Sequence, residues 1–162
     1  GSTGAGVKPG PTQHFSWRND NVSIYKALRH QHLAEIGQSL RSLQPDFDAQ
    51  LEFIPVRGCF SRGIFATLYL HSDATAEEVN RLYQAYYADA AFTFVTDKAV
   101  DLKDVVNTNK CLLHVEKIDD KILITSAIDN LLKGAVGTAV HNMNLLFGMP
   151  EREGLLLKAS AF

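Results

Sequence analysis

Residues 129–148, DNLLKGAVGTAVHNMNLLFG, constrain this chain more than any other stretch. Read as a helix at 100° per residue, they place Leu132, Val136, Val140, Met143 and Phe147 on one side, an apolar stripe suited to a core. The opposite side carries Gly134, Gly137, Thr138 and His141. A glycine inside a helix costs about 1 kcal/mol against alanine, so two on one face imply that something approaches the backbone closely. A protein segment and a flat ligand both meet that requirement, and the polar Thr138 and His141 leave both open.

A length of 162 residues, 46% of them hydrophobic and 21% charged, suits one globular domain with a sizeable core. A formal charge of -2 and a pI near 6.3 give no electrostatic case for nucleic acid or an anionic membrane. No apolar run is long enough to span a bilayer and no signal peptide is visible, so neither partner is expected. Cys59 and Cys111 are not spaced as a metal pair, and a reducing cytoplasm is the expected compartment. The chain opens at Gly1 and its first methionine is Met143, which reads as a piece of a longer protein, with residues 1–6 native or partly a tag remnant.

Gly, Pro, Ser and Thr dominate residues 1–13, a linker or loop. Residues 22–28 (VSIYKAL) alternate like a strand, and residues 32 or 33 to 43 have helical spacing before Pro45. Residues 51–56 and 63–70 look like strands joined by a turn around Gly58. Ser72-Asp73-Ala74-Thr75 supplies N-cap residues for a helix to about Tyr87, with Glu77 and Glu78 in its first turn and Val79, Leu82, Tyr83 and Tyr86 on its apolar face. A short strand at 92–96 precedes an irregular polar stretch at 97–109. Residues 111–118 and 121–126 flank Asp119-Asp120 as a hairpin. The helix of 129–148 follows and ends at Gly148-Met149-Pro150. These elements predict an α+β fold with a mixed, largely antiparallel sheet and helices on one face. The domain is expected at 14–148, with a tail at 149–162. No GxGxxG or GxxxxGK[ST] occurs, so no nucleotide-phosphate loop lies in these residues.

Two clusters could carry chemistry. In His30-Gln31-His32-Leu33-Ala34-Glu35, a helix starting near His32 puts that imidazole and the Glu35 carboxylate three apart on one face. A carboxylate beside a histidine fixes its tautomer and suits a general acid/base. His30, His32 and Glu35 are also types that ligate a metal, and a solvated surface pair is the plainest alternative. In Arg57-Gly58-Cys59-Phe60-Ser61-Arg62-Gly63, two arginines and a hydroxyl could clamp an anion, or simply form a solvated turn. Lys110 and Lys133 are weaker cationic candidates. Cys59, flanked by arginine, is a conceivable nucleophile without a histidine beside it, whereas Cys111 opens an apolar strand as an inert residue.

Together these segments resemble the C-terminal domain of the N-acetyl-gamma-glutamyl-phosphate reductase family, the acyl-phosphate reductases of arginine biosynthesis. Ser2-Thr3-Gly4-Ala5-Gly6 is similar to the Ser-Gly-Ala-Gly that follows the family's catalytic loop. His30-Gln31-His32-Leu33-Ala34-Glu35-Ile36 is similar to its His-Arg-His-x-Pro-Glu-Ile. Ser61-Arg62-Gly63-Ile64-Phe65-Ala66-Thr67 is similar to its Arg-Gly-Ile-x-Ala-Thr strand. Ile128-Asp129-Asn130-Leu131-Leu132-Lys133-Gly134-Ala135, with Asn142-Met143-Asn144 and Phe147-Gly148, is the most specific match. Gly154-Leu155 to Ala161-Phe162 resembles the family's C-terminus. Gln31, Ala34, Thr138 and His141 depart from the pattern, the last two standing where glutamines are usual. Aspartate-semialdehyde dehydrogenases share the Lys-Gly-Ala helix but not the histidine pair or Asn142-Met143-Asn144.

The resemblance implies a fold like the C-terminal domain of glyceraldehyde-3-phosphate and aspartate-semialdehyde dehydrogenases. It implies that His32 is the acid/base for a cysteine thiol, that Glu35 orients it, and that His30 and Arg62 meet the N-acylglutamyl phosphate substrate. Gly137, Thr138, His141 and Asn142 would meet NADP, and no metal is called for. The catalytic cysteine belongs to an Asn-Pro-Gly-Cys loop upstream of Gly1 and matches neither Cys59 nor Cys111. Partners implied are an N-terminal Rossmann domain, packing on the glycine face of the last helix with Leu155-Leu156-Leu157 following it, and a second copy across the outer face of the sheet, in a homodimer or tetramer. The chain alone is then expected neither to turn over acyl phosphate nor to bind NADP tightly. A stand-alone, non-enzymatic α+β ligand-binding or interaction module is the competing expectation.

Overall fold

A computed structural model describes residues 1–8 and 10–159. They gather into two compact units, one built on Val7–Cys59 and the other on Gly1, Thr3–Gly6 and the chain from Phe60 onward. The boundary at 59/60 lies inside the span 14–148 that the sequence suggests as one domain.

The first unit holds a 3-10 turn at Pro11–Gln13, α1 (Phe15–Arg18), β1 (Ser23–Ile24), α2 (His32–Leu43) and β2 (Val56–Arg57). β1 and β2 pair antiparallel, Ser23 opposite Arg57 and Ile24 opposite Val56. The strands expected at 22–28 and 51–56 are thus reduced to two residues each. Lys26 and Leu28 take left-handed backbone angles, φ 45° and 58°, which a pleated strand cannot hold. Pairing survives as single bonds, Tyr25 N–H to Pro55 C=O and Leu28 N–H to Phe53 C=O. Arg18 ties the unit together from a buried position. Its guanidinium donates to the carbonyls of Thr12, Asn21 and Arg57 and to Ser23 Oγ.

The second unit holds β3 (Ile64–His71), α3 (Ala76–Tyr86), β4 (Thr93–Val95), β5 (Cys111–Ile118), β6 (Lys121–Ile128) and α4 (Gly137–Leu146). The sheet order is β3-β6-β5-β4. β6 is antiparallel to both β3 and β5, while β4 runs parallel to β5. The fold is therefore α+β with a mixed, mostly antiparallel sheet. Period-two alternation sends Leu113, Val115, Ile122 and Ile124 to one face, where Val79 is buried and Tyr83 and Tyr87 pack. α3 buries a narrow i, i+4, i+8 stripe, so Leu82 and Tyr86, expected on its apolar face, are exposed. A capping box starts the helix: Thr75 Oγ1 accepts from Glu78 N–H and the Glu78 carboxylate accepts from Thr75 N–H. Those bonds hold the Glu78 carboxyl below its usual range, the backbone donor first.

Residues 97–109 read as polar loop, yet Val100, Val105, Val106, Thr108 and Asn109 are buried. Val100 and Val105 close over Ala127, with Leu102 and Leu112 alongside. No helix among the described residues is long and apolar enough to cross a membrane.

The last helix departs furthest from its sequence pattern. Leu132–Val136 form a π turn, in which Gly134 N–H reaches the Asp129 carbonyl and Val136 N–H that of Leu131. α4 begins only at Gly137. A π turn adds a residue to the helical repeat, so a projection at 100° per residue loses phase across it. In consequence Val136, Met143 and Phe147 are exposed, while Gly137 and Asn144 are buried. Gly137 packs within this unit although Gly134 is exposed, and much of the supposed core stripe faces outward. At the C-terminal end Gly148, with φ 63°, completes a Schellman motif through Met149 N–H to Asn144 C=O and Gly148 N–H to Leu145 C=O. Leu155 folds back to be buried with Ala91 and Phe92, against Val140, whereas Leu156 and Leu157 are exposed. Ala161 and Phe162 lie outside the described residues.

Candidate functional site

The first unit places the histidine cluster at the start of α2. His32 is the first residue of the helix, and its Nε2 lies 3.8 Å from Glu35 Oε2. Both side chains are open, at 54% and 71% exposure, so this is a solvated pair at a distance beyond a direct hydrogen bond. His30 is different. It is buried, and its Nδ1 accepts from the backbone N–H of His32 at 3.2 Å. An acceptor at Nδ1 requires the neutral ring with its proton on Nε2. Burial, then the charges of His32 and Lys26, hold its basicity below the usual imidazole range, with Glu35 acting the other way.

The rings interlock. His30 meets Tyr25, His32 and Phe53 edge-on, with centroids 5.6, 4.5 and 5.5 Å apart. The Arg57 guanidinium covers Tyr25 at 4.4 Å. His30 thus acts from behind, as a rigid support that sets where His32 leaves the helix start. Among the described residues no group of three or more His, Cys, Asp or Glu side chains is gathered closely enough for a metal ion.

Arg62, in the second unit, is engaged internally. Its Nη1 donates to Asp129 Oδ2 at 3.0 Å and to Asn107 Oδ1 at 2.8 Å. Asp129 is wholly buried and accepts three more bonds, from the N–H groups of Asn107, Leu131 and Leu132. Burial alone would raise its carboxyl, but the three backbone donors and Arg62 outweigh it and hold the group below its usual range. Arg62 and Asp129 therefore join the start of β3 to the start of the π turn.

The four cofactor candidates on α4 separate. Gly137 is covered: an added Cβ would overlap Asn109 Oδ1 and sit 2.7 Å from the Leu132 carbonyl oxygen. The Thr138 hydroxyl donates to the Lys133 carbonyl. His141 Nε2 lies 2.7 Å from Glu151 Oε1, and its ring meets Phe92 edge-on at 5.2 Å. Asn142 is exposed. Cys59 is exposed and Cys111 half-buried, its Sγ 3.7 Å from Ser126 Oγ.

Two buried amides escape the sequence patterns. Asn109, 3% exposed, donates from Nδ2 to the Leu155 carbonyl. Asn144, 1% exposed, donates to the carbonyls of Glu151 and Glu153. Both hold the segment after α4, a role that the place of Asn144 in Asn142-Met143-Asn144 does not by itself reveal and that Asn109 signals only as a polar residue beside an apolar run.

Residues 1–130 match the family described as semialdehyde dehydrogenase, dimerisation domain. Over its whole length the chain is 67% identical to the N-acetyl-gamma-glutamyl-phosphate reductase of Parabacteroides distasonis. It is 63% identical to that of Bacteroides fragilis and 55% to that of Flavobacterium johnsoniae. It spans 50% of each of these relatives.

Proposed function

We propose, for a chain that belongs to the semialdehyde dehydrogenase dimerisation-domain family, that it is the substrate-binding and dimerising half of an NADP-dependent N-acetyl-gamma-glutamyl-phosphate reductase of cytoplasmic arginine biosynthesis. The observation that carries this is the arrangement of His32: anchored through its N–H by a buried His30, half-exposed, and accompanied by Glu35. An imidazole so held can exchange protons with a group brought to it, which is what acyl transfer to a thiol followed by reduction requires.

In such an enzyme a thiolate displaces phosphate from the acyl phosphate, and a hydride and a proton convert the resulting thioester to a hemithioacetal. That intermediate releases aldehyde and regenerates the thiol. By resemblance the thiol comes from residues preceding Gly1. Glu35 lies toward Nε2 of His32 at 3.8 Å, and the imidazole is the group we assign to take the thiol proton and return it to the developing oxyanion. NADPH supplies the hydride when bound. Asn142, exposed on α4, would be the side chain fitted to face it, since Gly137 is covered by Asn109, the Thr138 hydroxyl is given to the Lys133 carbonyl and His141 is engaged by Glu151. Arg62 is committed to Asp129 and His30 is buried, so each would act by positioning its own neighbours.

Two surfaces await partners on this reading. The exposed Val136, Met143 and Phe147 of the last helix would pack against the half of the reductase that this chain does not span. Phe65 and Tyr69 on the outer face of β3 would meet a second copy. The chain by itself then neither reduces acyl phosphate nor holds NADP tightly.

The test is a chimera that joins this chain to the half of the Parabacteroides distasonis relative it does not span, assayed for NADPH oxidation with N-acetyl-gamma-glutamyl phosphate. Turnover by the chimera and none by either half is the expected result. A folded chimera without turnover would count against this function and in favour of a stand-alone binding module.

A further inference from the structure

The first residues of the chain belong to the same compact unit as the sheet, and the contacts that hold them converge on one side chain. Gly1 N donates to the Gly63 carbonyl at 2.6 Å. Thr3 gives both its donors to the Ser61 carbonyl, the N–H at 3.1 Å and Oγ1 at 2.6 Å. Asn130 closes the junction with both ends of its amide. Its Oδ1 accepts from Gly63 N–H at 2.8 Å and its Nδ2 donates to Thr3 Oγ1 at 3.0 Å. Because the Thr3 hydroxyl proton is spent on Ser61, only the Asn130 nitrogen can face Thr3, so the amide has one workable orientation.

Thr3 is exposed, but the backbone on either side of the junction fits closely. A Cβ on Gly1 would meet the Ser61 carbonyl oxygen at 2.5 Å, and one on Gly63, at φ 108°, would meet Leu102 at 2.6 Å. Asn130 cannot drift, since its neighbour Asp129 is fixed by four accepted bonds. Thr3 and the turn at Ser61–Gly63 are therefore tied through Asn130 to the start of the π turn that precedes α4.

We propose that Thr3 and Asn130 are positioning residues for the reaction, fastening the segment that arrives from the thiol-bearing part of the enzyme to the head of the helix that faces the cofactor. This rests on the function proposed above. Neither residue touches the reacting atoms. Their contribution is to keep the thiol within attacking distance, where a displacement of about 1 Å can cost up to about 100-fold in rate.

Thr3→Val removes the hydroxyl at nearly constant volume, Thr3→Ser retains it, and Asn130→Asp keeps the acceptor for Gly63 but loses the donor to Thr3. In the active chimera, with rates normalised to titrated thiol, Thr3→Val and Asn130→Asp should each lower kcat on the order of tenfold and leave KM for NADPH unchanged. Thr3→Ser should restore kcat, and the double variant Thr3→Val/Asn130→Asp should be no worse than either single one. A kcat per thiol for Thr3→Val within about twofold of the parent would overturn the assignment, whereas an inactive parent chimera would instead count against the function on which it rests. Hydrogen exchange on the chain itself gives a readout free of that function. Thr3→Val should speed exchange at the amides of residues 3–6 and leave β5 and β6 protected, and unchanged exchange at residues 3–6 would also overturn it.

Discussion

Replacing Gly137 by alanine pits two terms of opposite sign against each other. Helix propensity favours alanine by about 1 kcal/mol, so on an open helix face the change would stabilise. Here the new methyl would overlap Asn109 Oδ1 and press the Leu132 carbonyl oxygen at 2.7 Å. Asn109 is 3% exposed and cannot swing aside without releasing the Leu155 carbonyl. Overpacking of this kind costs about 1–3 kcal/mol, and breaking a buried amide bond adds about 1–3 kcal/mol. The clash wins, with a net loss of about 1–5 kcal/mol after the propensity gain of about 1 kcal/mol. Urea unfolding of the chain should show a lower midpoint, and its melting temperature should fall by about 2–4 °C for each kcal/mol. Gly134→Ala is the internal contrast, since its methyl would meet the Asp129 carbonyl at 3.3 Å, Ile128 at 3.5 Å and Ile64 at 4.0 Å. Its effect should stay under about 1 kcal/mol. Asn109→Ala combined with Gly137→Ala should cost less than the sum of the two singles by at least about 1 kcal/mol. A Gly137→Ala chain as stable as its parent, or more stable, would refute the claim that this glycine exists to admit Asn109.

The remaining expectations concern the polar joints. Asp129→Asn leaves the donors around a buried carboxylate poorly matched and should destabilise the chain by about 2–5 kcal/mol at neutral pH. Because the folded carboxyl is held below its usual range, the unfolded state binds the proton more readily. Stability from this group is therefore full above the unfolded carboxyl range and is lost as pH falls through the folded value. That acid-side loss, read from unfolding midpoints against pH, should be smaller in Asp129→Asn than in the parent. Asn144→Ala frees the carbonyls of Glu151 and Glu153, so limited trypsin digestion should cleave after Arg152 faster than in the parent. Equal cleavage rates would mean that Asn144 does not restrain this segment.

Where a local signal and the tertiary environment agree, the sequence is a sufficient guide. His32–Leu43 forms as its spacing implies, Thr75 caps α3 with Glu78, and the hairpin of Cys111–Ile118 and Lys121–Ile128 pairs around Asp119-Asp120. The His32 and Glu35 pair is legible for the same reason, since a separation of three along a helix is a local property. What the letters conceal is non-local. The left-handed angles at Lys26 and Leu28 cut short a stretch that alternates like a strand. Val105 and Asn109 look like loop residues because the side chains that bury them lie far along the chain. The π turn at Leu132–Val136 has the greatest effect, because one extra residue in the turn shifts the phase of the helix and leaves Val136, Met143 and Phe147 facing outward. Gly137 is closed over by Asn109, and much of the surface left open is apolar.

The steady-state kinetics of His32→Asn in the active chimera probe the proposed role of this chain most directly. An acid/base at His32 predicts a fall in kcat of about 100- to 10,000-fold with KM for NADPH unchanged. A kcat within a few-fold of the parent would contradict it.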